Sequence, residues 1–578
     1  MRFEVIARDS NSRIMRIEYK GKEIETPALL WYSSPRIPAP KFAKLKLGKD
    51  IKSGGSFFYP EKGDLPPSLI YPYFFPSGFH DLMAEFNEKS AGNFGIISAK
   101  SKPMKKFFIY IMANSMELFS NPRNFVKAVI EIRKNIGYKP LYAPGIALPH
   151  NLAILSYSGI DLFDSLKLVI ETRRGKYFTP EGSYDLDKID EYPCSCRYCK
   201  KGIKNYEDLL MHNYEVMKNE IIKVREAIKN GKLRELAESK AIMHPEYTSI
   251  LRIFDNEHYE WQEKMFPVTG NKINVSCLSF NMPAIKRFRE RILYGYKKPE
   301  SAKILLLLPC SSKKPYSASK SHSFFKRIIN GISNKNAIHE VILTSPLGIV
   351  PRELENFYPA AHYNISVTGY WNEEEKSMLQ GMIDNFLKKN RYDVIISHLP
   401  KEMDFLSIDA IQTCRHHPTS EDDLKKLENE LKIADEYEYI HASWRRRDNA
   451  NAMLLFQFGK VAENFLDGCI VKGKFPNYRI YCNGKQVASY VVSRGMFALT
   501  FVGGLRIGKN YWVEIDDFYP KGSVFAVGVK DADDRIRNGD EVVVFYEDEM
   551  RGVGTAKMNG DEMIKSEHGE AVKIRHYK

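Results

Sequence analysis

Long apolar runs are missing from this chain. The longest, Phe107–Ala113, is only strand-sized, against the about 20 residues that a membrane-spanning helix needs. The first residues, MRFEVIARDSNSRI, lack the apolar stretch of a secretory signal. No low-complexity tract and no internal repeat interrupts the 578 residues, which argues against long disordered segments. Cysteine is sparse: 8 residues, at 194, 196, 199, 277, 310, 414, 469 and 482, three clustered and five scattered. A disulfide framework belongs to short secreted chains rather than one of this length. These absences predict a cytoplasmic protein with no membrane partner. Acidic charge is in deficit, with 72 Asp+Glu against 86 Lys+Arg, a formal balance of +14 and a pI near 9.0. Basic surface neutralises phosphates and releases counterions, so the balance favours a polyanionic partner. The excess lies upstream, because residues 511–578 hold ten Lys/Arg against fifteen Asp/Glu, a local −5. Any nucleic-acid role for that tail rests on shape and local contacts.

What is present supports about four domains of ordinary size, with 43% hydrophobic and 12% aromatic residues to fill their cores. Residues 1–235 alternate short apolar runs with helical stretches, such as Phe107–Met112 and the amphipathic Phe125–Lys134. A long helix is predicted from Tyr206 to Asn230, ended by Asn230-Gly231. Within 236–435 a second α/β unit carries strand candidates Lys303–Leu308, Glu340–Thr344 and Asp393–Ser397, separated by helices at Ser323–Ile332 and Glu373–Lys389. That spacing predicts a parallel sheet with right-handed crossovers. The charged helical segment Ser420–Glu438 reads as a connector, and 436–510 as an α+β module. From 511 to 578, short β-type runs (Trp512–Ile515, Val524–Val529, Glu541–Phe545) alternate with turns, the pattern of a small β-barrel.

Two constellations carry chemistry. Cys194, Cys196 and Cys199 form a C-x-C-x2-C run, and a histidine, His212, follows on the next predicted helix. Three thiolates and an imidazole suit a closed tetrahedral zinc site, whose role would be structural. Downstream, PCSSKKPYSASKSH (309–322) follows an apolar strand and precedes a helix beginning near Ser321. Cys310 therefore falls at the carboxyl end of a parallel strand, where ligands collect in open α/β sheets. Helix amides and the positive charge of Lys313 and Lys314 are expected to stabilise a thiolate there. Ser311, Ser312, Tyr316 and Ser319 offer donors for a developing anion, and His322 can move a proton. Taken locally, a cysteine after a buried strand is more often an inert core residue, and serine-rich turns before helices are commonly caps.

Resemblance shifts that weighting. GIDLFDS (159–165), RRGKYFTPEG (173–182), the cysteine cluster and LLMHNYEVM resemble archaeal tRNA-guanine transglycosylases. That resemblance implies zinc on Cys194, Cys196, Cys199 and His212, and it matches Asp164 to the family's nucleophile. The family's D-S-G-G-F-Q base-recognition motif is not visible; the nearest stretch, SGGSFF (53–58), lacks its aspartate and glutamine. Asp164 is thus expected to be a structural remnant or a tRNA-handling residue, in a degenerate (β/α) barrel. The motif P-C-x3-K-P-Y-x2-S-x2-H, met by Pro309, Cys310, Lys314, Pro315, Tyr316, Ser319 and His322, resembles the signature of archaeosine synthases, as do TSPLGIVPRELE (344–355) and VTGYWNEEE (367–375). YWVEIDDFYPKGSVFAVGVKDADDRIRNGDEVVVF resembles a PUA RNA-binding domain, and FQFGKVAENFL (456–466) the module that precedes it.

The resemblance implies a tRNA partner carrying 7-cyano-7-deazaguanine in its D-loop. Cys310 would add to the nitrile as a thioimidate, and an amine would displace it to give an amidine. Free lysine is the favoured amine, with glutamine or ammonia as alternatives, and a radical-SAM lyase is an implied partner for the lysine route. His322 is the acid/base candidate. Lys314 either lowers the cysteine pKa or binds a phosphate, and Glu353, Glu355, Asp393 and His398 are further candidates for holding the amine or the base. Transglycosylase relatives are dimers, so a homodimer is expected. The competing readings are base exchange and a non-catalytic tRNA-binding paralogue.

Overall fold

In the computed structural model, which describes residues 2–19, 21–47, 94–100 and 107–578, the chain divides into two units. One comprises Met1–Phe266 with Lys565–Gly569, the other Pro267–Ile564 with Glu570–Lys578. The first break falls beyond residue 235, where the sequence pattern places it. The reason is a buried charge cluster. Arg234 donates to Glu238 at 2.7 Å, to Asp255 at 2.9 and 2.6 Å and to the Tyr157 hydroxyl at 2.8 Å. It ties the helices Leu233–Ala241 and Pro245–Glu257 into the first unit.

The first unit is built on six parallel strands in the order Leu45–Leu47, Ala28–Tyr32, Leu162–Asp164, Leu141–Tyr142, Ile109–Met112 and Phe94–Ile97. A three-stranded antiparallel sheet, Arg2–Asp9, Ser12–Tyr19 and Lys22–Glu25, precedes it. The helix Pro122–Ile136 is capped by Asn121 and buries Phe125, Val129 and Ile132 on one face. The helix Tyr206–Lys229 starts at an Asn205 cap, close to the expected bounds. The stretch SGGSFF lies outside the described residues.

In the second unit, Ile304–Pro309 (β1) has five consecutive buried residues, because both faces of a central parallel strand are covered. The helix Lys320–Gly331 (α1) begins at the Ser319 cap. Ile338–Thr344 (β2), Gly348–Pro351 (β3), Glu373–Lys389 (α2), Val394–Ser397 (β4), Ile411–Gln412 (β5) and Glu421–Leu431 (α3) follow. The sheet order is β3-β2-β1-β4-β5, parallel except for β3. Helix α2 is set by a capping box between Asn372 and Glu375, with acidic residues in its first turn and Lys388 and Lys389 in its last. The stretch expected to be a connector does more than connect. Leu427 and Leu431 of α3 pack with Phe325 and Ile329 of α1 over Leu306 and Leu308, so α3 covers one face of the sheet.

Downstream, the helix Ala442–Phe458 lies in an α+β module with four antiparallel strands between Cys469 and Leu499. Cys469 and Cys482 oppose each other there and are joined by a disulfide, which the scattered cysteine pattern does not announce. The chain ends in a six-stranded sheet, Ser523–Phe525, Glu570–Tyr577, Glu549–Ala556, Glu541–Tyr546, Trp512–Ile515 and Val529–Ala532. Among the described residues, no helix is long and apolar enough to cross a membrane.

One buried amide holds the segment after α3 in place. Asn334 reaches the carbonyls of Ala434, Tyr437 and Glu438 through its side-chain nitrogen, and its oxygen accepts from the Ile440 N–H at 2.9 Å. Replacing it leaves several buried groups unpaired, each costing about 1–3 kcal/mol. Asn334→Leu is expected to lower the urea midpoint by the equivalent of about 3 kcal/mol, while the neighbouring Lys335→Ala leaves it in place. An unchanged midpoint in Asn334→Leu would mean that apolar contacts alone hold the segment.

Candidate functional site

Cys310 is the first residue beyond β1. The register pairs Pro309 with Leu343 of β2, so Cys310 and Thr344 emerge side by side at the carboxyl edge. The Cys310 N–H donates to the Leu343 carbonyl at 3.2 Å. The thiol is half-buried and lines a cleft of about 330 Å³, a size typical of small-ligand sites. The strand order explains why a cleft opens here. The chain leaves β1 toward β2 but leaves β4 toward β5, on the opposite side, so β1 and β4 flank a topological switch point. Ser321, in the first turn of α1, shares the cleft, as do Tyr370, Trp371, Glu402 and His417.

The motif loop is held by its own residues. The His322 Nε2–H donates to the Pro309 carbonyl at 3.0 Å, and its Nδ1 accepts from the Arg352 guanidinium at 2.7 Å. Those partners fix the neutral Nε2–H tautomer. Burial, with Arg352 beside it, pushes the imidazole pKa down to about 3. Arg352 itself is bound by Glu340 and Glu355, and Glu355 accepts from the Ser317 N–H at 2.9 Å. Ser319 caps α1, accepting from the His322 N–H at 3.3 Å. The Ser311 hydroxyl donates to the Lys313 carbonyl at 3.0 Å, and Ser312 is exposed. A larger cavity of about 680 Å³ is lined by His322, Arg352 and Glu355 but does not include Cys310.

Beside the thiol lies a buried chain of hydroxyls. Thr344 stands beside Cys310 at the strand ends, the Thr344 and Tyr363 oxygens lie 2.7 Å apart, and Tyr363 and Tyr316 also lie 2.7 Å apart. The chain runs from Tyr316 through Tyr363 to Thr344, whose own proton goes to the Ser345 carbonyl at 3.0 Å, an arrangement that strengthens each bond. Burial pushes both tyrosine pKa values up, so they remain donors. The Lys314 ammonium sits 4.2 Å from the Tyr363 ring centre. The thiolate expectation needs correction. Burial raises the Cys310 pKa, and the Thr344 hydrogen bond and the Lys314 charge oppose this without reversing it.

The other candidates fall elsewhere. Glu353 is fully buried, accepting from the Tyr296 hydroxyl at 2.5 Å and paired with His339 at 3.3 Å. His398 is fixed between Thr413 and the Pro418 carbonyl, and Asp393 is exposed. In the first unit, Asp164 is fully buried at the end of its strand. Its carboxylate accepts from the Tyr142 hydroxyl at 2.7 Å, the Gly145 N–H at 2.7 Å and the Leu166 N–H at 2.9 Å.

The ligand atoms of Cys194, Cys196, Cys199 and His212 all lie within 4.8 Å of one another. His212 Nδ1 faces the Cys196 and Cys199 sulfurs at 3.5 and 3.3 Å, while its Nε2–H donates to the Phe178 carbonyl at 2.9 Å. Tyr177 stacks on the imidazole at 4.0 Å. An imidazole oriented this way by a backbone carbonyl is typical of a metal ligand, and the four residues could hold a metal ion.

Sequence reasoning missed Thr344 as a partner of Cys310, and it missed Tyr363, Arg352 and Glu402. The first had a signal, since β1 ends one residue before Cys310 and the adjacent parallel β2 ends at Thr344. Tyr363 had none. It arrives from a two-residue strand, Tyr363–Asn364, paired with Ile273–Asn274.

Three family models match the chain: Queuine tRNA-ribosyltransferase over residues 99–246, Domain of unknown function (DUF5591) over 285–431, and PUA domain over 513–578. Archaeosine synthase subunit alpha of Methanosarcina acetivorans is 35% identical over 524 residues, spanning 85% of this chain and 83% of its own. Archaeosine synthase of Haloferax volcanii is 33% identical over 490 residues, spanning 81% and 82%. The tRNA-guanine(15) transglycosylase of Methanothermobacter thermautotrophicus is 27% identical over 474 residues, spanning 76% and 66%.

The raised thiol pKa has a direct readout. The rate of Cys310 alkylation is expected to rise with pH about a midpoint above the usual value of about 8.5. Thr344→Val and Lys314→Met each remove a group that favours the thiolate, and each is expected to move the midpoint further up. A wild-type midpoint below neutrality would contradict this account of the site.

Proposed function

The chain belongs to the archaeosine synthase family, and from that premise we propose that it acts in archaeosine formation on tRNA, as a transferase whose Cys310 attacks the nitrile of 7-cyano-7-deazaguanine. The observation that carries this reading is the half-buried thiol lining a nucleobase-sized cleft at the sheet's switch point. A base carrying a nitrile is reached by flipping it from the folded RNA into such a pocket. Tyr370, 84% exposed, and Trp371 stand at the cleft as stacking surfaces for it.

The chemistry follows from the thiol's protonation. The S–H adds across the C≡N bond, so that an S–C bond forms, one π bond becomes C=N–H, and the thiol proton ends on nitrogen. Thr344 and the Lys314 ammonium, which favour the thiolate, stabilise the sulfur as its proton leaves. An amine then adds to the carbon, the sulfur departs as thiolate and regains a proton, and an amidine remains. Lysine is the favoured amine, with glutamine or ammonia as alternatives. His322, neutral and bound at both nitrogens, is assigned as a positioning residue that holds the Pro309 carbonyl beside the nucleophile. Ser321, which lines the cleft, is placed to donate to the nitrile nitrogen. Relatives named as alpha subunits support a partner subunit for a later step, which we assign to a radical-SAM lyase.

For the Cys194, Cys196, Cys199 and His212 cluster we propose zinc, because three thiols and an imidazole match its preferred closed tetrahedral set. Its contribution would be structural. The C-terminal domain and the net charge of +14 support tRNA binding through backbone and shape.

Incubation of tRNA bearing 7-cyano-7-deazaguanine with labelled lysine is expected to label the tRNA with wild-type protein and not with Cys310→Ala. Thr344→Val is expected to slow labelling by about 10²-fold, the usual effect of removing one stabilising donor. Labelling that persists in Cys310→Ala would rule out the covalent route. Metal analysis is expected to give about one zinc per chain. Cys199→Ser should lose it and lower the unfolding temperature, while Cys310 alkylation keeps its wild-type pH midpoint. Full stability in a metal-stripped protein would overturn the structural assignment.

A further inference from the structure

Two carboxylates line the cleft that holds Cys310, Glu375 and Glu402, and they differ in what they already do. Glu375 is committed to the start of α2. One of its oxygens accepts from the Asn372 N–H at 2.9 Å and the other from the Ser345 hydroxyl. Glu402 has no hydrogen-bond or ion-pair partner among the described residues, yet its backbone and stem are fixed. It sits on the turn Lys401–Met403, a few residues past the end of β4, and the next side chain, Met403, is buried. Gly369, at φ +75°, packs so close that a Cβ there would lie 3.3 Å from Glu402 Cγ. Trp371 packs on Phe405 with ring centres 5.5 Å apart, tying the 367–371 loop to the same turn. The two strands flanking the switch point therefore deliver one group each: Cys310 from the end of β1 and Glu402 from the loop after β4.

Glu402 is exposed at the cleft mouth with both carboxylate oxygens uncommitted, so it is free to accept from a ligand with two adjacent N–H donors. A guanine-type ring presents such a pair on its Watson–Crick edge, N1–H and the 2-amino group, whereas an adenine-type ring presents an acceptor at N1. Bases taken out of the stack are read along this edge. We infer that Glu402 is the specificity residue of the cleft, accepting hydrogen bonds from N1–H and the 2-amino group of the base whose nitrile meets Cys310. The inference rests on the reading that this cleft receives the base. It adds which edge of the base is recognised and by which residue.

The test uses the full-length protein and two tRNAs assembled by ligation. One carries 7-cyano-7-deazaguanine and the other its 2-deamino analogue, and turnover with labelled lysine or ammonia is followed for wild-type, Glu402→Gln and Glu402→Ala proteins. Wild-type kcat/KM is expected to fall by about 10–10²-fold when the 2-amino group is removed, since a site built on a hydrogen bond rejects a ligand lacking it. In both variants the two substrates should become equal within about twofold, with the Cys310 alkylation midpoint unchanged. A wild-type preference that survives in both Glu402 variants would overturn the inference while leaving the Cys310 reading intact. Absence of turnover in wild type on either substrate, with each amine, would instead overturn that reading and the inference with it.

Discussion

The Pro309 carbonyl, held by a neutral imidazole that is itself held by Arg352, is the contact on which the site depends. It fixes the last peptide of a fully buried strand at the point where the chain must turn to expose a thiol. It orders the loop from Cys310 to Ala318 together with the Cys310 N–H bond to the Leu343 carbonyl and the Tyr316–Tyr363 pair. Arg352 extends the anchor to Glu340 on β2 and to Glu355, which binds the Ser317 N–H. The loop is thereby fastened near its start and near its end. Burial, and then the guanidinium 2.7 Å from Nδ1, keep the ring neutral.

The same burial that gives the loop its precision works against ionisation of the sulfur. Taking a thiolate out of water is costly, and one hydroxyl with one nearby ammonium offsets only part of that. A thiol that stays protonated until an electrophile arrives is suited to a nitrile, because addition to a nitrile consumes the proton as well as the electron pair. The Thr344 hydroxyl and the Lys314 ammonium, the side chains that favour the thiolate, then matter at the moment charge moves.

Much of this was legible in the sequence, for identifiable reasons. Ile304–Leu308 is an unbroken apolar run ending in Pro-Cys, and between helical stretches of regular spacing it reads as a buried parallel strand. Glu373–Lys389 carries its own capping box and dipole-matched ends. The cysteine triplet and His212 are close enough in sequence to be paired on paper. What was hidden depended on contacts between distant segments. Tyr363 meets Tyr316 across 47 residues, Arg352 meets His322 across 30, and neither arginine nor tyrosine spacing encodes such a meeting. The sign of the Cys310 shift was also hidden, since the sequence displays the lysines beside it but not the burial around it. The helical segment after Ser420 looked like a connector because its charges are conspicuous, while the Leu427 and Leu431 pair that roofs the sheet is short.

With the anchor, the thiol and the cleft in place, the claim that stands above the rest is a covalent bond between Cys310 and the nitrile carbon. Nuclear magnetic resonance with tRNA whose base carries a ¹³C nitrile reports that carbon directly. On mixing with full-length protein before any amine is added, its resonance should move from the nitrile position to that of a thioimidate, and it should stay put with Cys310→Ser. A nitrile resonance that persists in the wild-type complex and converts straight to amidine when amine is supplied would contradict the account.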